Sequence, residues 1–178
     1  MRIVSLQVNA NQLTLLSDNQ KVFSFGENAN VIFSTKNSVG KTTLLRMVMY
    51  ALGYQIPNTR GIRFSDYETV LTVIGASDEN FVLTRNRDYI EVLHNGIEKG
   101  YSLPVEQNEL HSSIYGISNL EVVDNLLGAF YVDQEKGWTL LNRGKAIGNI
   151  HFSIESLLRG LSNRTNDELA QRLAVIKR

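Results

Sequence analysis

The 178-residue chain is long enough to bury one sizeable core, and its 43% hydrophobic and 20% charged shares are those of an ordinary globular protein. Eighteen Lys plus Arg balance eighteen Asp plus Glu, so the chain as a whole offers nucleic acid no electrostatic footprint, and only a local basic patch could serve. The lack of cysteine excludes disulfides, thiolate metal sites and a cysteine nucleophile. With no apolar core in MRIVSLQVNANQ and no run near the roughly 18 apolar residues of a membrane span, a cytoplasmic protein without membrane attachment is expected.

Residues 2 to 8 alternate as a strand, and residues 12 to 16 and 21 to 25 flank SDNQ as a hairpin. Residues 30 to 34 (NVIFS) read as a short apolar strand. A helix starts near Thr42, is apolar on nearly all sides and is stopped by Gly53, which predicts a buried central helix. Residues 68 to 75, 80 to 86 and 89 to 94 form an antiparallel β-meander followed by the Asn95-Gly96 turn. Pro104 opens a helix closed by Gly116, and a second short helix covers residues 119 to 127. Residues 129 to 132 (AFYV) read as an apolar strand running into Asp133 and Gln134, with a helix following at 153 to 161. Thr165 and Glu168 make a capping box for a last helix whose apolar stripe is still running at Arg178.

Thr35 to Thr42 spell T-KNSV-G-K-T between the predicted strand and helix. Apart from the threonine in the first glycine position, this is the G-x-x-x-x-G-K-[ST] pattern, whose backbone amides, lysine and hydroxyl hold phosphates and Mg²⁺. Gly40, Lys41 and Thr42 supply the last three requirements, and Thr43 continues the helix start. Thr35 stands at the mouth of the loop, where a β-branched residue can end a strand. Asn37 tolerates a left-handed backbone and helps the loop to curl. Ser38 takes another position often held by glycine.

Elsewhere, Arg60 and Arg63 in NTRGIRF are candidates to reach nucleotide phosphates or DNA, whereas Arg85 and Arg87 read as surface positions of the meander. AFYVDQ admits two functions: Gln134 reaching Mg²⁺ and the attacking water, or Asp133 ending a Walker B strand and holding Mg²⁺. A glutamine cannot be a general base. Trp138 reads as a packing residue, and His94, His111 and His151 have no metal-ligand spacing and read as structural or surface residues.

The M-R-I-x-x-L start, the FSTKNSVGKTTLLRMVMYALGY segment, RGIRFSDY, the meander and the strand ending in glutamine occur in an order that resembles the N-terminal lobe of SMC/RecN/RecF-like ATPases. These are ABC-type P-loop enzymes with coiled-coil insertions. The resemblance implies an α/β P-loop NTPase fold of ABC type, with the antiparallel meander beside the P-loop core over residues 1 to 164 and a coiled coil starting at 165 to 178. It implies that Asn37, Ser38, Val39, Gly40, Lys41, Thr42 and Thr43 bind ATP, that Thr42 and Gln134 coordinate Mg²⁺, and that Lys41 and Gln134 serve catalysis. Arg60 or Arg63 would touch DNA or a partner's phosphate. The partners implied are a C-terminal ATPase lobe in cis or trans and a second copy of the chain across the nucleotide, with DNA handling in repair, chromosome organisation or anti-phage defence as the purpose.

The chain departs from the family where VNAN replaces an aromatic-arginine pair after the first strand, and it has no LSGGQ-like signature and no later strand ending in Asp-Glu. Hydrolysis is therefore expected only with a C-terminal lobe. A complete compact NTPase using Asp133, and a non-enzymatic assembly module, are the alternatives.

Overall fold

Period-two alternation builds the first half of the chain into one sheet. A computed structural model describes residues 1–10, 20–36, 40–59, 61–133, 137–141, 145–148 and 150–162. It divides into two units, Met1–Gly116 and Ile117–Arg178, each described by itself. The strands of the first unit are β1 (Arg2–Ala10), β2 (Gln20–Ser24), β3 (Tyr67–Ile74), β4 (Asn80–Asn86), β5 (Tyr89–His94) and β6 (Ile97–Ser102). They form a six-stranded sheet in the order β2-β1-β3-β4-β5-β6, antiparallel at every pairing. The predicted hairpin partner of residues 21 to 25 lies in 11–19, outside the described residues, and β2 pairs directly with β1.

The register aligns Leu6, Leu71, Leu83 and Val92 across four strands, and all four are buried. Two helices, α1 (Lys41–Ala51) and α2 (Gln107–Tyr115), complete this unit, α1 packing on β3 and β4 and α2 on β6. The predicted Asn95-Gly96 turn forms with φ of 51° and 76°, the left-handed pair that a two-residue hairpin needs. Gly53 and Gly116 follow α1 and α2 with positive φ, as helix stops do. Strand β6 was not foreseen: IEKGYS is polar, and its one buried residue, Tyr101, gives no alternation to read. Helix α2 starts at Gln107 rather than Pro104, because residues 103 to 106 form a turn.

The far end of α1 corrects the surface reading of Arg85. This side chain is 1% exposed on the inner face of β4. Its Nε donates to the Arg87 carbonyl at 2.8 Å, and Nη1 donates to the carbonyls of Tyr50 and, at 3.0 Å, Tyr54. The guanidinium lies 3.7 Å over the Tyr50 ring, and burial pulls its pKa below the usual range. His111 of α2 is also buried, its Nε2 2.9 Å from the Leu52 carbonyl and its ring between Tyr54 and Tyr115. A carbonyl can only accept, so Nε2 carries a proton, and burial disfavours a second one on the ring. Together these groups add donors to carbonyls at and just beyond the C-terminus of α1, those of Tyr50, Leu52 and Tyr54. His94 keeps the structural role expected of it, stacked 4.1 Å from Phe81 and 3.1 Å from Glu79.

In the second unit, α3 (Leu120–Phe130) is capped by Asn119, whose Oδ1 accepts from the Val122 amide at 3.3 Å, and α4 (Ile154–Leu161) by Ser153 at 3.2 Å from Ser156. Asn125 Oδ1 accepts from the Ser153 amide at 2.6 Å and joins the two helices. The predicted strand at 129 to 132 is corrected: Ala129 and Phe130 finish α3, which has a continuous apolar run able to extend it. Only β7 (Val132–Asp133) is a strand, paired with β8 (Gly137–Trp138). The capping box at Thr165 and Glu168 and the last helix lie outside the described residues.

Candidate functional site

Helix α1 begins one residue after Gly40, whose φ of 93° and ψ of 12° lie in left-handed space that a side chain seldom enters. An added Cβ there would meet nothing within 4 Å, so backbone conformation and not crowding selects glycine. The first helical bond runs from the Leu44 amide to the Gly40 carbonyl at 2.9 Å. Among the described residues no side chain caps the helix, and its first turn carries no acidic residue. The amides of Lys41, Thr42 and Thr43 therefore point out of the positive end of the helix dipole with no carboxylate in the turn they open. Thr42 is exposed, and Lys41 and Thr43 are partly so. Asn37, Ser38 and Val39 lie outside the described residues.

Residues 30 to 34 were expected as a strand, and they are not one. Val31 is 83% and Phe33 82% exposed. The reason is a missing sheet: an apolar strand needs ladder partners, and among the described residues none pairs with this segment.

Beyond α1, Thr59 and Ile62 exchange backbone hydrogen bonds of 3.1 and 2.9 Å around a tight turn with Gly61 at a φ of 78°. Arg60 lies outside the described residues, and Arg63 is exposed just after the turn. The guanidinium of Arg46, a residue that sequence reasoning did not select, donates from Nη1 to Thr59 Oγ1. Nothing in the spacing singles it out beyond its place four residues after Thr42. Asp133 belongs to the second unit and is partly exposed, its Oδ2 3.4 Å from the Tyr131 hydroxyl. Gln134 lies outside the described residues. Trp138 donates from Nε1 to the Ala129 carbonyl at 2.9 Å.

No family model and no curated protein matches the chain. Among the described residues, no cluster of three or more His, Asp or Glu is arranged to hold a metal, and no helix is long and apolar enough to cross a membrane.

Proposed function

We propose that this chain is the ATP-binding half of an SMC-like, ABC-type P-loop ATPase, which couples nucleotide-driven dimerisation to DNA handling. One juxtaposition supports this reading best: a helix start behind a left-handed Gly40 that no side chain among the described residues caps, preceded by an apolar segment that pairs with no strand among them. A finished phosphate site would bury the strand that feeds it. The exposed Val31 and Phe33 favour a site completed by strands from a C-terminal lobe, in cis or in trans.

The residues fit a nucleoside triphosphate. The open amides at residues 41 to 43 and the Lys41 ammonium would hold the phosphates, and the exposed Thr42 hydroxyl would face Mg²⁺. Mg²⁺, when bound, neutralises charge developing on the transferred phosphoryl group. Gln134 would orient water and metal without acting as a base, leaving the carboxylate to the other lobe. The compact alternative is not favoured, since Asp133 ends a two-residue strand beside an exposed Val132 rather than a buried apolar strand.

The test measures ATP binding and turnover by the chain alone and with an added polypeptide bearing a signature motif and paired Asp-Glu. Binding is expected to vanish in Lys41→Ala, turnover to appear only with the added lobe, and Phe33→Glu to abolish that turnover while improving recovery of the free chain. Turnover by the chain alone would overturn the half-site reading.

A further inference from the structure

We propose that the chain pairs with a second copy of itself through the free edge of β6, in one two-fold register centred on Lys99, and that this contact needs no nucleotide. Strand β6 ends the sheet, with β5 on one side and, among the described residues, no strand on the other. The two-residue turn makes His94 and Ile97 a hydrogen-bonded pair. The backbone groups of Ile97, Lys99 and Tyr101 therefore face β5, and those of Glu98, Gly100 and Ser102 face outward. The far end of the strand agrees. Leu103 donates its amide back to the Asp88 carbonyl at 2.7 Å, whereas the Ser102 amide donates to Glu106 Oε2 at 2.6 Å and the Ser102 carbonyl accepts from the Glu106 amide at 2.9 Å. Glu106 thus closes the edge at Ser102. Glu98 and Gly100 keep two outward amides and two outward carbonyls with no backbone partner among the described residues.

These four groups are self-complementary. With Lys99 facing its own copy across an antiparallel seam, Glu98 of each chain opposes Gly100 of the other, and every free donor meets a free acceptor. A slip of two residues sets Glu98 against Glu98, or against the Ser102 that Glu106 already holds. A slip of one sets outward groups against groups turned toward β5. The side chains fit the same register. On one face the place of the missing Gly100 side chain is taken by the Tyr89 hydroxyl, since a Cβ there would stand 1.9 Å from Tyr89 Oη. That hydroxyl would donate across the seam to the copy's Glu98 carboxylate. On the other face Ile97, 71% exposed, falls against the copy's Tyr101. Lysine on an edge ordinarily prevents pairing. Here Lys99 is drawn to Glu109 Oε1 at 2.5 Å and lies 4.9 Å over the Tyr101 ring, so each copy brings a neutral ion pair to the axis and the two pairs can exchange partners. The seam is short, which sets an expected Kd of about 10–100 µM.

The experiment is sedimentation equilibrium of the full chain without nucleotide, joined to single-cysteine cross-linking, which the absence of native cysteine allows. The parent and all variants carry Phe33→Glu, so that residues 30 to 34 offer no other route to association. The parent is expected to pass from 20.0 kDa toward twice that mass as its concentration rises through about 50 µM. Glu98→Pro removes an outward donor that the sheet does not use, and should weaken association at least about tenfold with an unchanged far-UV spectrum. Lys41→Ala should associate like the parent. Lys99→Cys should form a disulfide dimer under mild oxidation at least about tenfold faster than Val22→Cys on the opposite edge, because the two Lys99 Cα atoms would stand about 4.5 Å apart, within disulfide range. Should Glu98→Pro fail to fold, the two cysteine variants carry the comparison. A parent that stays monomeric, a folded Glu98→Pro that associates like the parent, or equal cross-linking at residues 99 and 22 would each overturn the proposal. Association lost in Lys41→Ala would move the contact to the start of α1 and overturn it as well. Failure of the chain to bind ATP would overturn the nucleotide reading and leave this one standing.

Discussion

Replacing Arg85 by methionine tests how the end of α1 is held. The substitution keeps much of the side-chain length and removes the donors to the Tyr50, Tyr54 and Arg87 carbonyls. The Tyr50 carbonyl still accepts from the Gly53 amide at 2.9 Å, so what is lost is the charge-assisted share of the bonding at these carbonyls. Losing hydrogen bonds from a charged donor costs about 1.5–3 kcal/mol, and loss of the stack on Tyr50 adds about 1 kcal/mol. Relief of the buried charge offsets part of this. The net expectation is a loss of about 2 kcal/mol, roughly 4–8 °C in Tm for a chain of this size. Arg85→Lys should lose about half as much, since it keeps the cation but not the fork. Urea unfolding followed by far-UV circular dichroism is the suitable assay, because the single tryptophan, Trp138, reports on the other unit. An Arg85→Met midpoint within about 0.5 kcal/mol of wild type, at unchanged m-value, would refute the capping argument.

Burial lowers the pKa of His111 from 6.5 to about 4, against a smaller opposing effect of its bond to the Leu52 carbonyl. The unfolded chain therefore binds the proton first. Stability should be full above about pH 6.5 and fall as pH drops toward 4, by about 3 kcal/mol in total, and His111→Gln should flatten that slope in urea titrations run at each pH. Thr69 is fully buried with an unpartnered Oγ1, so Thr69→Val should raise the urea midpoint by about 1 kcal/mol of stability, and a lower midpoint would mean that the hydroxyl has a partner. Gly40→Ala meets no clash yet must hold a positive φ, so it should cost about 1–2 kcal/mol in thermal melts and weaken nucleotide binding in the same titrations used for Lys41→Ala.

The meander was legible because its strands alternate and its turn residues, Asn95-Gly96 above all, have few other uses. Helix α1 was legible for the same reason: one glycine precedes it and another ends it. Residues 30 to 34 misled because apolar content predicts what a segment would do given partners, and partners are set by residues outside the segment. Residues 129 to 132 misled because a short apolar run fits a helix end as well as a strand, and the helix before it was already propagating. Arg85 could not be seen as buried: its alternation phase puts it inward with Phe81 and Leu83, yet charge argued outward. The carbonyls that make its burial tolerable come from residues 31 and 35 positions away. Of the candidate site, Gly40 and Lys41 could be read directly, whereas Arg46 emerges only when Thr59 is brought beside it.

The clamp on α1 has a mechanical consequence. An 11-residue helix is about 16 Å long. Its C-terminal end is pinned to β4 and α2 through Arg85 and His111, while Thr42 and Leu45 near its start are exposed. If a nucleotide binds as proposed, the surest supports of the helix, at Tyr50 and Leu52, lie about a helix length from Lys41, with the Arg46 bond to Thr59 between them.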